Sequence, residues 1–233
     1  MAKSRLNKKD AERVDNLVEH YRSNIAAFER FVGQIKVSLA DRESLADHIH
    51  SLKWRVKDPE HLRHKLVRKL TQAKLDGKEF DITEDNLFQR VSDLVGFRIL
   101  HLHSHQIQAL DIELRQIFKE DLYRLIEGPV AFTWDDESFA YFRSIGFTVK
   151  RNPRMYTSVH YVIEASRASK IRGEIQVRTL AEELWGEVDH HVNYPDQSPV
   201  DSCREQIKVL ARFTSGCSRL VDSIFETHRS GTD

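Results

Sequence analysis

Two carboxylates, a group of cations, a tyrosine and a histidine recur in four short stretches where polar side chains alternate with apolar ones. These are Arg55-Val56-Lys57, Asp93 to Arg98, Tyr156 to His160, and Glu174-Ile175-Gln176-Val177-Arg178. Successive side chains of a β-strand point to opposite sides, so polar members of each stretch share a sheet face if the stretch is a strand. A face that sets carboxylates beside clustered cations suits a polyphosphate and its metal ion better than bulk water. Asp93 and Glu174 are the natural pair, because Mg²⁺ is typically held by one or two carboxylates together with substrate phosphates. Tyr156, near Lys150, Arg151 and Arg154, offers a ring for a base and cations for phosphates.

Asp93 and Arg98 are five residues apart, which strict alternation places on opposite faces; a bulge at Gly96 would bring both to one side. Glu174, Gln176 and Arg178 alternate cleanly with Ile175 and Val177, and Tyr156, Ser158 and His160 do so with Thr157 and Val159. Arg55 and Lys57 precede a helical stretch that displays Arg63, Lys65, Arg68 and Lys69, a second basic cluster. The alternating His101, His103 and His105 have no cysteine or acid at zinc-like spacing beside them. Neither a Walker or dinucleotide glycine loop nor a Gly-x-Ser-x-Gly elbow is present, which argues against a P-loop enzyme and an α/β-hydrolase.

The elements that must carry these residues follow from periodicity. Val14, Val18, Tyr21, Ile25, Phe28, Val32, Ile35 and Leu39 alternate at spacings of four and three, the stripe of one long helix. Leu17 and Phe31 widen that stripe beyond a coiled-coil seam, so packing on the sheet is expected. His48 to Lys57 is expected as a strand, and Asp58-Pro59-Glu60 starts a helix that runs to about Leu75. Further strands are expected over Val95 to His103, Leu122 to Phe132, Phe147 to Lys150, Thr157 to Glu164 and Ile171 to Val177. Helices are expected over Ser104 to Lys119 and Asp135 to Ile145, with a loop holding one short helical piece at 78–92 and loops at Arg151 to Met155 and Ala165 to Lys170. Thr179 and Glu182 have the spacing of a capping box for a helix from 180 to about 191. Pro195 and Pro199 break the chain before a last amphipathic helix, Asp201 to Glu226, with Ile207, Leu210, Phe213, Cys217, Leu220 and Ile224 as its stripe.

This order implies an α/β or α+β layer, a mixed β-sheet flanked by helices with long helices at both ends, in a single domain over 1–233 with its core at about 45–195. With 36 basic and 36 acidic side chains the net charge is zero, so any anion site must arise from local clustering. Met1 to Asp10 lacks the apolar run of a leader and no segment reaches the roughly 18 apolar residues of a spanning helix, so a cytoplasmic protein is expected. Cys203 and Cys217 would sit about 21 Å apart on one helix, too far for a disulfide.

Taken together, Arg55-Val56-Lys57-Asp58-Pro59-Glu60, Asp93-x-x-Gly96-x-Arg98-Ile99, Tyr156-Thr157-Ser158-Val159-His160, Glu174-Ile175-Gln176-Val177-Arg178-Thr179, and Trp185 through Asp189-His190 to Tyr194 resemble the synthetase domain of the RelA/SpoT alarmone family, in that family's order. The resemblance implies a nucleotidyltransferase-like fold and Mg²⁺-dependent transfer of the β,γ-pyrophosphate of ATP to the ribose 3′-hydroxyl of GDP or GTP, giving (p)ppGpp. It implies that Asp93 ligates Mg²⁺ and that Glu174 shares the metal or draws the proton from the hydroxyl. Arg55 and Arg98 would sandwich the adenine, and Lys57 and Lys65 would meet the ATP phosphates. Tyr156 would stack on guanine, with Lys150, Arg151, Ser158, His160, Gln176 and Arg178 on the acceptor side.

Family members commonly carry a glycine before the motif tyrosine, where this chain has Met155, so the loop from Lys150 is expected to sit differently. The relatives also imply an alternative acceptor, the 3′ end of tRNA or an adenine nucleotide. Only about 45 residues precede the first motif, which suggests a stand-alone small synthetase without a hydrolase domain, and its terminal helices would build a homo-oligomer.

Overall fold

The computed structural model describes residues 6–165, 170–194 and 197–231. Six strands form one mixed sheet in the order β1-β2-β6-β5-β3-β4: β1 (Ser51–Val56), β2 (Val95–His101), β3 (Arg124–Thr133), β4 (Thr148–Arg151), β5 (Ser158–Glu164) and β6 (Arg172–Thr179). β2 runs parallel to β6 and β3 to β4, while the other neighbours are antiparallel. Among the described residues, no helix is long and apolar enough to cross a membrane. Pro195 and most of the loop expected at Ala165 to Lys170 lie outside the described residues.

Alternation splits the sheet cleanly. Val95, Phe97 and Ile99 of β2, Ile175 and Val177 of β6, and Val159, Tyr161 and Ile163 of β5 are buried in one core with helices from the chain's first half. Those helices are α1 (Lys8–Ser23), α2 (Ile25–Ala40), the single turn α3 (Glu43–Ala46) and α4 (Pro59–Leu75), joined by the short α5 (Leu87–Arg90) and by α6 (Gln106–Glu120). The expected long N-terminal helix is therefore two. Asn24 ends α1 by donating its side-chain amide to the His20 carbonyl, the local competition for backbone groups that asparagine is built for. The apolar stripe survives the break, since Val14, Tyr21, Phe28, Ile35 and Leu39 are all buried.

The opposite face carries the polar residues. Over it lie α8 (Leu180–Asn193) and α9 (Asp201–Ser230), and α7 (Asp136–Ser144) precedes β4. Trp185 of α8 ties the last two helices together by donating its indole N–H to the Ile207 carbonyl at 3.0 Å, inside a small cluster with Ala211. Only the start of the stripe expected to bury α9 does so: Ile207 is buried and Leu210 partly so, whereas Phe213, Leu220 and Ile224 are 72%, 63% and 56% exposed, and past Ile207 the helix buries Ala211, Thr214, Ser215 and Ser218. Small side chains let α9 approach closely enough for Ser218 to hydrogen-bond Thr179 at the end of β6, a contact that the bulky stripe would prevent.

The core helices also set the edge of the polar face. Tyr21 of α1 is wholly buried, and its hydroxyl donates to the Lys57 carbonyl at 2.6 Å, while the Lys57 N–H donates to the Leu94 carbonyl at 2.9 Å. Tyr21→Phe leaves that carbonyl without its partner in a dry place, so a loss of about 1–2 kcal/mol is expected. Urea denaturation at neutral pH would measure it as a lower midpoint with an unchanged slope.

Candidate active site

Asp93 is not on a strand. It sits in a 3₁₀ turn (Ser92–Leu94) just ahead of β2, so the alternation that separated it from Arg98 does not apply. No bulge forms at Gly96: β1 and β2 pair without interruption from Ser51↔Leu100 to Val56↔Val95. Gly96 lies opposite Arg55 on one side and Glu174 on the other, leaving a bare patch of backbone between a cation and a carboxylate.

Three elements converge on the Asp93 carboxylate. Lys57, at the end of β1, reaches Oδ2 at 3.0 Å, and Lys65, two turns into α4, reaches Oδ1 at 2.7 Å. The N-cap of α4 is Asp58, which accepts the N–H groups of Glu60 and His61 and so aims the helix that delivers Lys65. Burial opposes ionisation of Asp93, but the ammonium groups of Lys65 and Lys57 outweigh it and hold the carboxyl down at about 2. Lys57 is itself 7% exposed, and burial lowers its pKa despite the attraction of Asp93. Burial and the neighbouring Lys65 likewise lower Lys69, a sign of crowded positive charge along α4.

The second carboxylate, Glu174, takes the His160 Nδ1 at 2.7 Å across β5 and β6. Burial pushes the Glu174 carboxyl up, yet the hydrogen bond and charge of His160, with help from Gln176, leave it below the ordinary carboxylate range; the Asp93 charge works against them. The two acids thus feel each other's field. His160 Nε2 is buried with no hydrogen-bond partner. The His160 ring stacks with Tyr156 at 6.1 Å, and Phe132 and Trp185 each lie 6.4 Å from the tyrosine, forming an aromatic patch beside the acid.

A second charge cluster, unforeseen in the sequence, sits where α8 crosses the face. Glu183 is 5% exposed and receives Arg178 Nη2 at 2.6 Å, Lys53 Nζ at 2.8 Å and Arg98 Nη1 at 3.3 Å, with Glu187 also bonded to Arg98. Gly186 makes room for this arrangement, since a Cβ there would lie 2.6 Å from Arg178 Nη1. The i, i+4 spacing of Glu183 and Glu187 one turn after Arg178 was the available signal, but charges at that spacing ordinarily face solvent.

Of the residues singled out in the sequence, Arg55, Lys57, Lys65, Asp93, Glu174, Gln176, His160 and Tyr156 border one region. Arg98 and Arg178 lie on the same face, held by α8. Lys150 shares the face through its register with Phe132, and it pairs with Glu127. Arg151 points the other way, onto Phe139 and the Trp134 carbonyl beside α7. Ser158 is buried against the Val177 carbonyl. Met155 adopts φ +64°, the left-handed form that a glycine takes easily and a methionine resists. Its side chain packs beside Trp185 and Ile207, which offsets a strain of roughly 1–2 kcal/mol. Next to it a cavity of about 340 Å³ opens between α4, α8 and α9, bordered by Arg68, Arg154, Trp185 and Asp189.

Asp93 and Glu174, both held ionised, are hard oxygen donors of the kind that meet Mg²⁺ together with phosphate and water. A depressed carboxyl stabilises the fold above its ordinary pKa of 3.8, and that contribution is lost as pH falls toward about 2. For Asp93 it amounts to about 2 kcal/mol. Urea unfolding of wild type and Asp93→Asn between pH 5 and pH 2 should show the gap between them narrowing by that amount.

The profile of the RelA_SpoT family, described as a region found in RelA / SpoT proteins, matches residues 54–199. The chain is 26% identical over 168 residues to the GTP pyrophosphokinase YwaC of Bacillus subtilis, which spans 68% of this chain and 67% of that protein. A GTP pyrophosphokinase family protein from Streptococcus pneumoniae superposes with a TM-score of 0.66 at 20% identity, covering 91% of this chain and 95% of that one. The small alarmone synthetase 1 of Bacillus subtilis, solved with its product pppGpp, gives 0.61 at 18% identity, covering 92% and 100%. The fold is thus that of these synthetases, and because the profile runs from the second half of β1 through α8 with every residue of the polar face from Arg55 onward, the chain belongs to the RelA/SpoT family.

Proposed function

We propose that this protein is a GTP pyrophosphokinase that moves the β,γ-pyrophosphate of ATP to the ribose 3′-hydroxyl of GDP or GTP and so makes (p)ppGpp. The observation that carries this reading is the pairing of two ionised acids on one face, Asp93 between Lys57 and Lys65 and Glu174 on His160. The acceptor 3′-oxygen attacks Pβ, the bond from Pβ to the oxygen bridging Pα breaks, and AMP leaves. Glu174, ionised at neutral pH, takes the hydroxyl proton.

Lys57 and Lys65 lie where the donor phosphates meet Asp93, and preorganised cations of this kind stabilise charge spread over phosphoryl oxygens. Mg²⁺, held by Asp93 and Glu174, would add its charge to the same phosphates. Arg55 and Arg98 flank the adenine, and Tyr156 carries the acceptor base within reach of His160 Nε2. Such nucleotides place the reaction in the cytoplasm. Phe213, Leu220 and Ile224 on the outer side of α9 support a homo-oligomer.

With γ-labelled ATP, Mg²⁺ and a panel of GDP, GTP, ATP and tRNA, label is expected in (p)ppGpp; label on tRNA or on an adenine nucleotide would reassign the acceptor. Glu174→Gln should lower kcat by about 10²- to 10⁴-fold, and Asp93→Asn should abolish transfer, with circular dichroism unchanged in both. Wild-type rates in either variant would remove that residue from the chemistry. Light scattering behind size exclusion is expected to show more than one copy per particle, and Phe213→Glu with Leu220→Glu to reduce it to one.

A further inference from the structure

Thr179 and Glu182 are spaced to cap α8 on itself, yet only half of that box forms. Thr179 Oγ1 takes the Glu182 N–H at 3.2 Å, but the Glu182 carboxylate does not turn back to the helix. Its Oε2 accepts the N–H of Thr157 at 3.0 Å, a residue 25 positions earlier in the chain. Glu182 is 4% exposed, and burying a carboxylate is costly unless it is paired. The neighbouring Arg178 is engaged by Glu183. A buried acid bonded to a residue 25 positions away calls for a reason, and the location of the Thr157 amide supplies one.

The Thr157 N–H belongs to the peptide unit whose carbonyl is that of Tyr156. Asn152 donates its side-chain amide to this carbonyl at 3.2 Å, so Glu182 and Asn152 hold the two ends of one peptide plane. The Thr157 hydroxyl is fixed in turn by Thr133 at 2.9 Å. One turn along α8, Trp185 lies 6.4 Å from the Tyr156 ring. Helix α8 therefore sets both the backbone and the ring environment of the tyrosine two residues ahead of β5.

We propose that Glu182 is a positioning residue for the acceptor: it clasps the Tyr156–Thr157 peptide and so orients the Tyr156 ring on which the acceptor base stacks. This rests on the acceptor role given to Tyr156 above. A charge-assisted hydrogen bond is roughly twice as strong as a neutral one, so the clasp tightens when Glu182 is ionised.

The surroundings tune that ionisation near neutrality. Burial raises the Glu182 carboxyl to about 7, opposed by the Thr157 N–H and the Arg178 charge and reinforced by Asp135. Asp135 and Glu137, at the start of α7, both pair with Arg219 of α9, and Asp222 of α9 accepts the Ser104 N–H. His101, at the end of β2, is kept neutral down to about 4 by burial, and His105 faces Glu226. His101, His105, Glu137, Arg219, Asp222 and the Tyr141 phenol border a cavity of about 190 Å³ that reaches Glu182, roomy enough for the water that exchanges its proton.

Two pH trends of opposite sign follow. The acceptor KM falls as pH rises from 6 to 8, because the ionised clasp is tighter. Thermal stability falls over the same range, because the folded state holds a proton that the unfolded chain, with an ordinary carboxyl pKa of 4.5, has already lost.

The test uses the full chain with whichever acceptor the labelling panel identifies, so a wrong acceptor assignment is recorded separately from a wrong role for Glu182. KM for acceptor and for ATP would be measured at pH 6, 7 and 8 for wild type, Glu182→Gln and Glu182→Leu, alongside thermal melts and the pH titration of the Thr157 amide by NMR. In wild type the amide should titrate near pH 7 and the acceptor KM should fall with pH. Glu182→Gln, which keeps an acceptor oxygen, should abolish both trends and melt higher than wild type at pH 8. Glu182→Leu should raise the acceptor KM up to about tenfold while leaving the ATP KM in place. A pH trend in acceptor KM that persists in Glu182→Gln, an amide that does not titrate, or equal rises in both KM values in Glu182→Leu would overturn the proposal.

Discussion

A carboxylate gripped by two ammonium groups organises this molecule. Asp93 brings together the end of β1 through Lys57, the body of α4 through Lys65, and its own 3₁₀ turn at the head of β2. Removing such groups from water costs several kcal/mol each, which only close and well-directed pairing offsets. The pairing in turn depends on parts of the chain remote from it: the Asp58 cap that aims α4, and the Tyr21 hydroxyl that anchors the Lys57 backbone from the N-terminal helix. The helices that bury the core thus also fix the position of the acid.

Internal counterions recur across the polar face. Lys57 and Lys65 rest on Asp93, His160 on Glu174, and Arg98, Arg178 and Lys53 on Glu183. The polar face is crowded with positive charge, and mutual repulsion would splay those side chains without anions among them. The carboxylates hold the cations in register, which leaves them preorganised. Helix α8 supplies most of this order, contributing Glu183 and Glu187 to the cations and Glu182 and Trp185 to the aromatic side.

Met155 shows how a local preference yields to its surroundings. A methionine resists positive φ, yet the backbone takes the left-handed form, because the side chain gains a place against Trp185 and Ile207 and the loop is pinned at Asn152 and Thr157. A conformational penalty of roughly 1–2 kcal/mol is within what a few buried methylenes return.

Alternation along single strands was enough to assign Arg55, Glu174, Gln176, Arg178 and His160 to one face, because side-chain direction in a strand has a strict period of two. The apolar stripe from Val14 to Leu39 was legible for the same kind of reason, as was the Asp58-Pro59 start of α4. The residue sequence thus determined which side chains are available to the site and which sides of the elements face the core. It did not determine that Asn24 splits the first helix, that α9 buries its small residues and leaves Phe213 outside, or that Glu182 abandons its own helix for Thr157. Each of those outcomes compares a local contact with one made by residues far along the chain. Only the folded packing, where distances of 3 Å replace separations of many residues, decides which contact is made.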